Sequence, residues 1–90
     1  RQNNVIINME GAMEKIGDVI KKYRISNNFT QFKFAEKIGI SSKYLSDLET
    51  NRRAPSISLI KRIADILGID EEILIEIKKV SELKKIKKIN

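Results

Sequence analysis

Apolar positions recur every three or four residues through most of this chain, and short polar clusters with asparagine, serine or glycine separate the runs. From Met13 onward, Ile16, Val19, Ile20 and Tyr23 keep helical spacing, and Asn27-Asn28 offers a residue able to take the left-handed conformation that closes a helix. Thr30 supplies an N-cap hydroxyl for a second, short helix with Phe34, Ala35 and Ile38 on one face, ended by Gly39. Ser41 caps a third, with Tyr44, Leu45 and Leu48 as its stripe and Thr50-Asn51 as its stop. Proline at 55 biases Ala54 away from the helical region, so Arg52 to Pro55 reads as a loop. Ser56 caps a fourth helix whose apolar set is Ile57, Ile60, Ile63, Ala64 and Leu67, and Gly68 stops it. Asp70 caps a fifth, from Glu71 to about Ile89, with acids early and lysines late, as the helix dipole favours.

Five helices with short connections and no strand pattern predict an all-α fold. Residues 1–12, Asn-rich and polar around Val5-Ile6-Ile7, read as a disordered arm or as residues appended to the domain; 13–69 form the domain; 70–90 form a C-terminal helix with a lysine-rich tail.

Composition narrows the function. Ninety residues with 41% hydrophobic content suit one modest core. The chain has neither cysteine nor histidine, which removes disulfides, thiol nucleophiles, imidazole bases and the usual zinc spacings, so no metal or cofactor is expected. The carboxylates Asp18, Asp47, Glu49, Asp65 and Glu76 show no catalytic pairing and no glycine-rich phosphate loop exists, so no enzyme and no small-molecule substrate are expected either. No run is long enough to span a membrane and no signal-peptide pattern precedes the helices, which reads as cytoplasmic. The formal charge of +6 at first suggests an anionic partner. From Lys78 onward, however, six lysines face only Glu82, leaving the remainder nearly neutral, so the charge alone says little about the domain.

The middle of the chain is more specific. Two short helices joined through Gly39-Ile40-Ser41 cannot continue as one rod, and the tight turn sets a large angle between them. Small Ala35 suits the crossing, and Phe34, Ile38, Ile40, Leu45 and Leu48 are expected to face inward. Across roughly residues 16 to 69 the sequence resembles the lambda-repressor and Cro-type, XRE-like helix-turn-helix family. The resemblance runs through Ile16-Gly17, Ile20, Tyr23-Arg24, Phe29-Thr30-Gln31, Phe34-Ala35-Glu36-Lys37-Ile38-Gly39-Ile40-Ser41, Tyr44-Leu45-Ser46, Leu48-Glu49, Ala54-Pro55-Ser56 and Leu59 to Ile69.

That resemblance implies a sequence-specific regulator of transcription, a repressor by preference, that binds double-stranded DNA through its third helix. The major groove admits a helix and shows a distinct donor and acceptor pattern for each base pair. Ser42, Lys43, Ser46 and Asp47 are the expected base-reading side chains, Lys43 by donating to guanine and Asp47 by accepting from cytosine while repelling misplaced phosphates. Gln31, Ser41, Tyr44, Arg52 and Arg53 are the expected phosphate contacts. Arg24 and Glu49 match positions the family commonly fills with a structural ion pair. One small reading helix covers few base pairs, so a homodimer on a palindromic operator with half-sites about one DNA turn apart is expected.

Phe32 departs from the family, which usually places a polar residue there, and suggests a surface contact with a partner chain. Beyond Val80 the spacing of Leu83, Ile86 and Ile89 drifts, and three readings stay open: a dimerisation helix, a solvated tail, or a basic arm against nucleic acid or membrane. The same fold also serves as a protein-interaction module, such as an antitoxin or the partner of an antirepressor, and fold resemblance does not separate the two.

Overall fold

The structure, a computed structural model, describes residues 15–89, with side chains described through Val80. The helices are α1 (Ile16–Ser26), α2 (Gln31–Ile38), α3 (Ser42–Glu49), α4 (Ile57–Leu67) and α5 (Glu71–Ile89), and no strand occurs among the described residues. Helix starts follow local chemistry. The hydroxyls of Thr30, Ser41 and Ser56 accept the backbone N–H of Lys33, Tyr44 and Leu59 at 3.1, 3.0 and 3.2 Å, and the Asp70 carboxylate accepts that of Glu72 at 3.0 Å. The α1 start at Lys15 has no side-chain cap. Met13, expected inside the first helix, and residues 1–12 lie outside the described residues, as do the side chains of Leu83, Ile86 and Ile89.

Each helix turns an apolar face to a common centre. Ile20, Phe34, Ile38, Leu45, Leu48, Ile60, Ile63 and Leu74 are fully buried, and Pro55 seals the loop above them. Full burial of one such aliphatic or aromatic side chain contributes roughly 1.5–3 kcal/mol, so these residues carry most of the stability. The Phe29 and Phe34 rings meet with centroids 5.4 Å apart. The first half of α5 packs on α4 and α1 and adds Leu74, Ile75 and Ile77 to the same core.

Two expectations change in the structure. Ile57, placed in the inward stripe of the fourth helix, is 41% exposed. It is the first residue of α4. Side chains of a helix lean toward its N-terminus, so the side chain at the first position overhangs the helix end instead of covering a neighbour. Ile40, expected inward, is half-buried at the rim of the core, because it lies in the turn rather than on a helix face.

Candidate nucleic-acid interface

The mutual setting of α2 and α3 is fixed at several points. Gly39 ends α2 at φ 90°, a left-handed conformation that costs an L-residue about 1–2 kcal/mol. The backbone N–H groups of Gly39 and Ile40 both return to the Ala35 carbonyl, at 2.8 and 3.0 Å. From α4, Arg62 reaches across and donates through Nη1 to the Ile38 carbonyl at 2.5 Å, satisfying one of the carbonyls a helix end leaves open.

Beneath α3 lies a buried polar cluster. Arg24 Nε donates to Glu49 Oε2 at 2.6 Å and Nη2 to Oε1 at 3.1 Å, the paired geometry natural to a guanidinium and a carboxylate. The two side chains are only 9% and 2% exposed. Arg24 Nη1 also donates to the Phe29 carbonyl at 2.8 Å, and Gln31 Nε2 donates to Glu49 Oε1 at 3.0 Å. The cluster therefore joins α1, the loop after it, the start of α2 and the end of α3. Gln31, expected at a phosphate, is half-buried and uses one amide hydrogen inside this cluster. An amide has two, so the same group can donate outward as well.

A second link joins α1 to the end of α3. Asn51, at φ 65°, accepts the Gly17 N–H on Oδ1 at 2.9 Å and donates through Nδ2 to Asp18 at 3.2 Å. A Cβ at Gly17 would sit 2.1 Å from the Leu48 carbonyl oxygen, so α1 and α3 touch through backbone there.

The outer face of α3 is different in kind. Ser42 and Lys43 are exposed; Ser46 and Asp47 are half-buried. The Asp47 carboxylate lies 4.0 Å from Lys43 Nζ and 3.9 Å from Arg53 Nε. The backbone N–H groups of Arg52 and Arg53 fold back to the Asp47 carbonyl at 2.9 and 3.2 Å, which brings both arginines beside the outer face of α3. The Arg53 guanidinium lies 5.7 Å from the centroid of the half-buried Tyr44 ring. Ser41 is exposed and its hydroxyl is engaged as the α3 cap. Lys43, Asp47, Tyr44, Arg52 and Arg53 thus come together on one surface, whereas Gln31 is joined to it from α2 through the buried cluster.

Sequence reasoning missed three positions that fix this surface: Gly17 and Asn51 as the α1–α3 joint, and Arg62 as the clamp on α2. All act between segments distant in sequence, and no local periodicity signals them. Among the described residues no group of His, Cys, Asp and Glu could hold a metal ion, and no helix is long and apolar enough to cross a membrane. A shallow depression between α4 and the start of α5 is lined by Lys61, Arg62, Ala64, Asp65, Ile69 and Glu71.

A helix-turn-helix family model matches residues 20–74, a span that contains both the turn and the outer face of α3. The chain belongs to the helix-turn-helix family. Its relatives there include the ImmF control region 10 kDa protein of Bacillus phage phi105, 36% identical over 61 residues that make up 68% of each chain. The immunity repressor of the same phage is 41% identical over 54 residues, 60% of this chain and 38% of that protein. The transcriptional regulator SinR of Bacillus subtilis is 32% identical over 68 residues, 74% of this chain and 61% of SinR. The matched segment is thus well under two thirds of the immunity repressor's length and somewhat under two thirds of SinR's.

Among solved structures, SinR in complex with DNA has a TM-score of 0.62 at 33% identity, covering 67% of this chain and 97% of that one. The SinR–SinI complex has a TM-score of 0.64 at 30% identity, covering 81% and 75%. The P22 c2 repressor in complex with a synthetic operator, at 18% identity and a TM-score of 0.65 over 69% and 94%, shares the fold. The five helices of the described residues therefore have the lambda-repressor-like arrangement.

Proposed function

We propose that this chain is a DNA-binding regulator of transcription that reads the major groove with α3. The observation that carries the reading is the outer face of α3. A helix locked from beneath by Arg24, Glu49 and Asn51 presents Ser42, Lys43, Ser46 and Asp47 outward, with Arg52 and Arg53 at its end. Lys43 donates to guanine O6 or N7, and the two serines donate or accept at base edges. Arg52, Arg53, Tyr44, Ser41 and Gln31 contact phosphates and set the register without carrying sequence information themselves. The relative SinR was solved in complex with DNA, which supports DNA binding, and the phi105 relative is named an immunity repressor, which supports repression as the sign of control.

The reading extends to a homodimer in the cytoplasm acting on an inverted repeat, since two linked α3 helices double a recognition site that one alone leaves short. It requires no cofactor and no catalysis. A second reading, an interaction module for a protein partner, draws on the SinR–SinI complex and on Phe32, which is 66% exposed.

Selection from a library of random duplexes, followed by titration of the recovered sequence and a scrambled control at two salt concentrations, tests the proposal. A specific regulator binds an inverted repeat about 10³-fold or more tighter than the control. Equal, weak binding to both that vanishes as salt rises contradicts it and favours the protein-partner reading.

A further inference from the structure

Asp47 is the only carboxylate on the outer face of α3, and its surroundings are unusual for an ion pair. Its side chain is only 17% exposed, yet both cations beside it stand at the edge of contact, Lys43 Nζ at 4.0 Å and Arg53 Nε at 3.9 Å from the same oxygen, Oδ2. Among the described residues no hydrogen bond reaches either carboxylate oxygen, so its acceptor capacity stays open. The two cations are themselves 82% and 65% exposed. The backbone carbonyl of Asp47 also anchors the turn that carries Arg53.

We propose that Asp47 is a specificity-determining positioning residue, an internal counter-ion that restrains Lys43 and Arg53 against DNA of arbitrary sequence. The inference rests on the DNA-binding reading above. Every duplex presents phosphates, so a carboxylate set between the cations that would neutralise them weakens binding to all sequences alike. Exposed pairs at such distances are individually weak and exchange readily. The restraint is offset only where a base pair repays it, a guanine drawing Lys43 away while an exocyclic amine of cytosine or adenine donates to the open oxygens of Asp47. Discrimination thus arises from a carboxylate that lowers non-specific affinity more than specific affinity.

The test compares the full chain with its Asp47→Asn and Asp47→Glu variants on a mixed-sequence duplex and on the duplex recovered by selection, across a salt series. Asp47→Asn is expected to bind the mixed duplex roughly threefold to tenfold tighter at low salt, with a log–log salt slope steeper by about one. Its preference for the selected duplex falls by at least the same factor, whereas Asp47→Glu, which keeps the charge, stays within about twofold of the parent on the mixed duplex. A merely structural role cannot produce this pattern, since damage to the fold weakens both duplexes. Adding Lys43→Ala to Asp47→Asn must remove part of the gain. Unchanged or weaker binding of Asp47→Asn to the mixed duplex, or a full gain without Lys43, overturns the inference while leaving the DNA reading intact. Failure of the parent chain to bind any duplex at low salt overturns the DNA reading first.

Discussion

Two acidic residues two positions apart on α3 show how one helix serves the fold and the surface with the same chemistry. Glu49 faces inward, nearly inaccessible, and holds Arg24 in two short hydrogen bonds of 2.6 and 3.1 Å. Asp47 faces outward and holds Lys43 and Arg53 at 4.0 and 3.9 Å. A desolvated pair that loses one partner strands a buried charge, so the inner pair cannot exchange without cost to the fold. A solvated pair contributes about 0–1 kcal/mol, so the outer cations can be drawn off Asp47 at a small cost. Burial, more than residue type, separates the locked ion pair from the exchangeable one.

The largest effect expected from breaking this contrast is at the inner pair. Arg24→Ala should destabilise the chain by about 3–5 kcal/mol in urea unfolding, by leaving Glu49 buried and unpaired. A loss below about 1 kcal/mol would place the inner pair in the same class as the outer one. Next comes Gly17→Ala, where the new methyl meets the Leu48 carbonyl oxygen, a backbone atom that cannot swing aside. Overpacking of about 1–3 kcal/mol should outweigh the gain in helix propensity of about 1 kcal/mol, and a thermal melt measures the difference.

On the outer face the expected effects move from stability to binding. Lys43→Ala should leave the melting temperature nearly unchanged and reduce discrimination between the selected duplex and single-base variants by about tenfold, the scale of one lost base contact. Arg53→Ala should be smaller and uniform, weakening every duplex alike and lowering the salt slope by about one, with stability changed by no more than about 0.5 kcal/mol. A loss of sequence preference in Arg53→Ala as large as that in Lys43→Ala would erase the assigned division between phosphate and base contacts.

Most of the helices were legible because their ends are signalled locally. The hydroxyls of Thr30, Ser41 and Ser56 bond to backbone N–H groups three residues on, and Asn28, Gly39, Asn51 and Gly68 all take positive φ. Ile57 was misplaced because periodicity assigns a face but not how far a first-turn side chain overhangs the helix end. Arg24 and Glu49 are 25 residues apart, and only the family resemblance brought them together in the sequence. The joint of Gly17 with Asn51 and the clamp of Arg62 on Ile38 span 34 and 24 residues with no repeating signal. At the candidate site, the i,i+4 spacing of Lys43 and Asp47 is visible in sequence. Arg53 reaches the same carboxylate only because its backbone folds back onto the end of α3.

On the proposed reading, the outer face of α3 meets DNA while the inner cluster only holds that face in place. Amide chemical-shift mapping of the labelled chain during titration with the selected duplex tests it most directly. The largest perturbations are expected at Ser42, Lys43, Ser46, Asp47, Arg52 and Arg53, with the Arg24 Nε resonance little changed. Largest perturbations around Lys61, Asp65 and Glu71 between α4 and α5, with α3 silent, would contradict it.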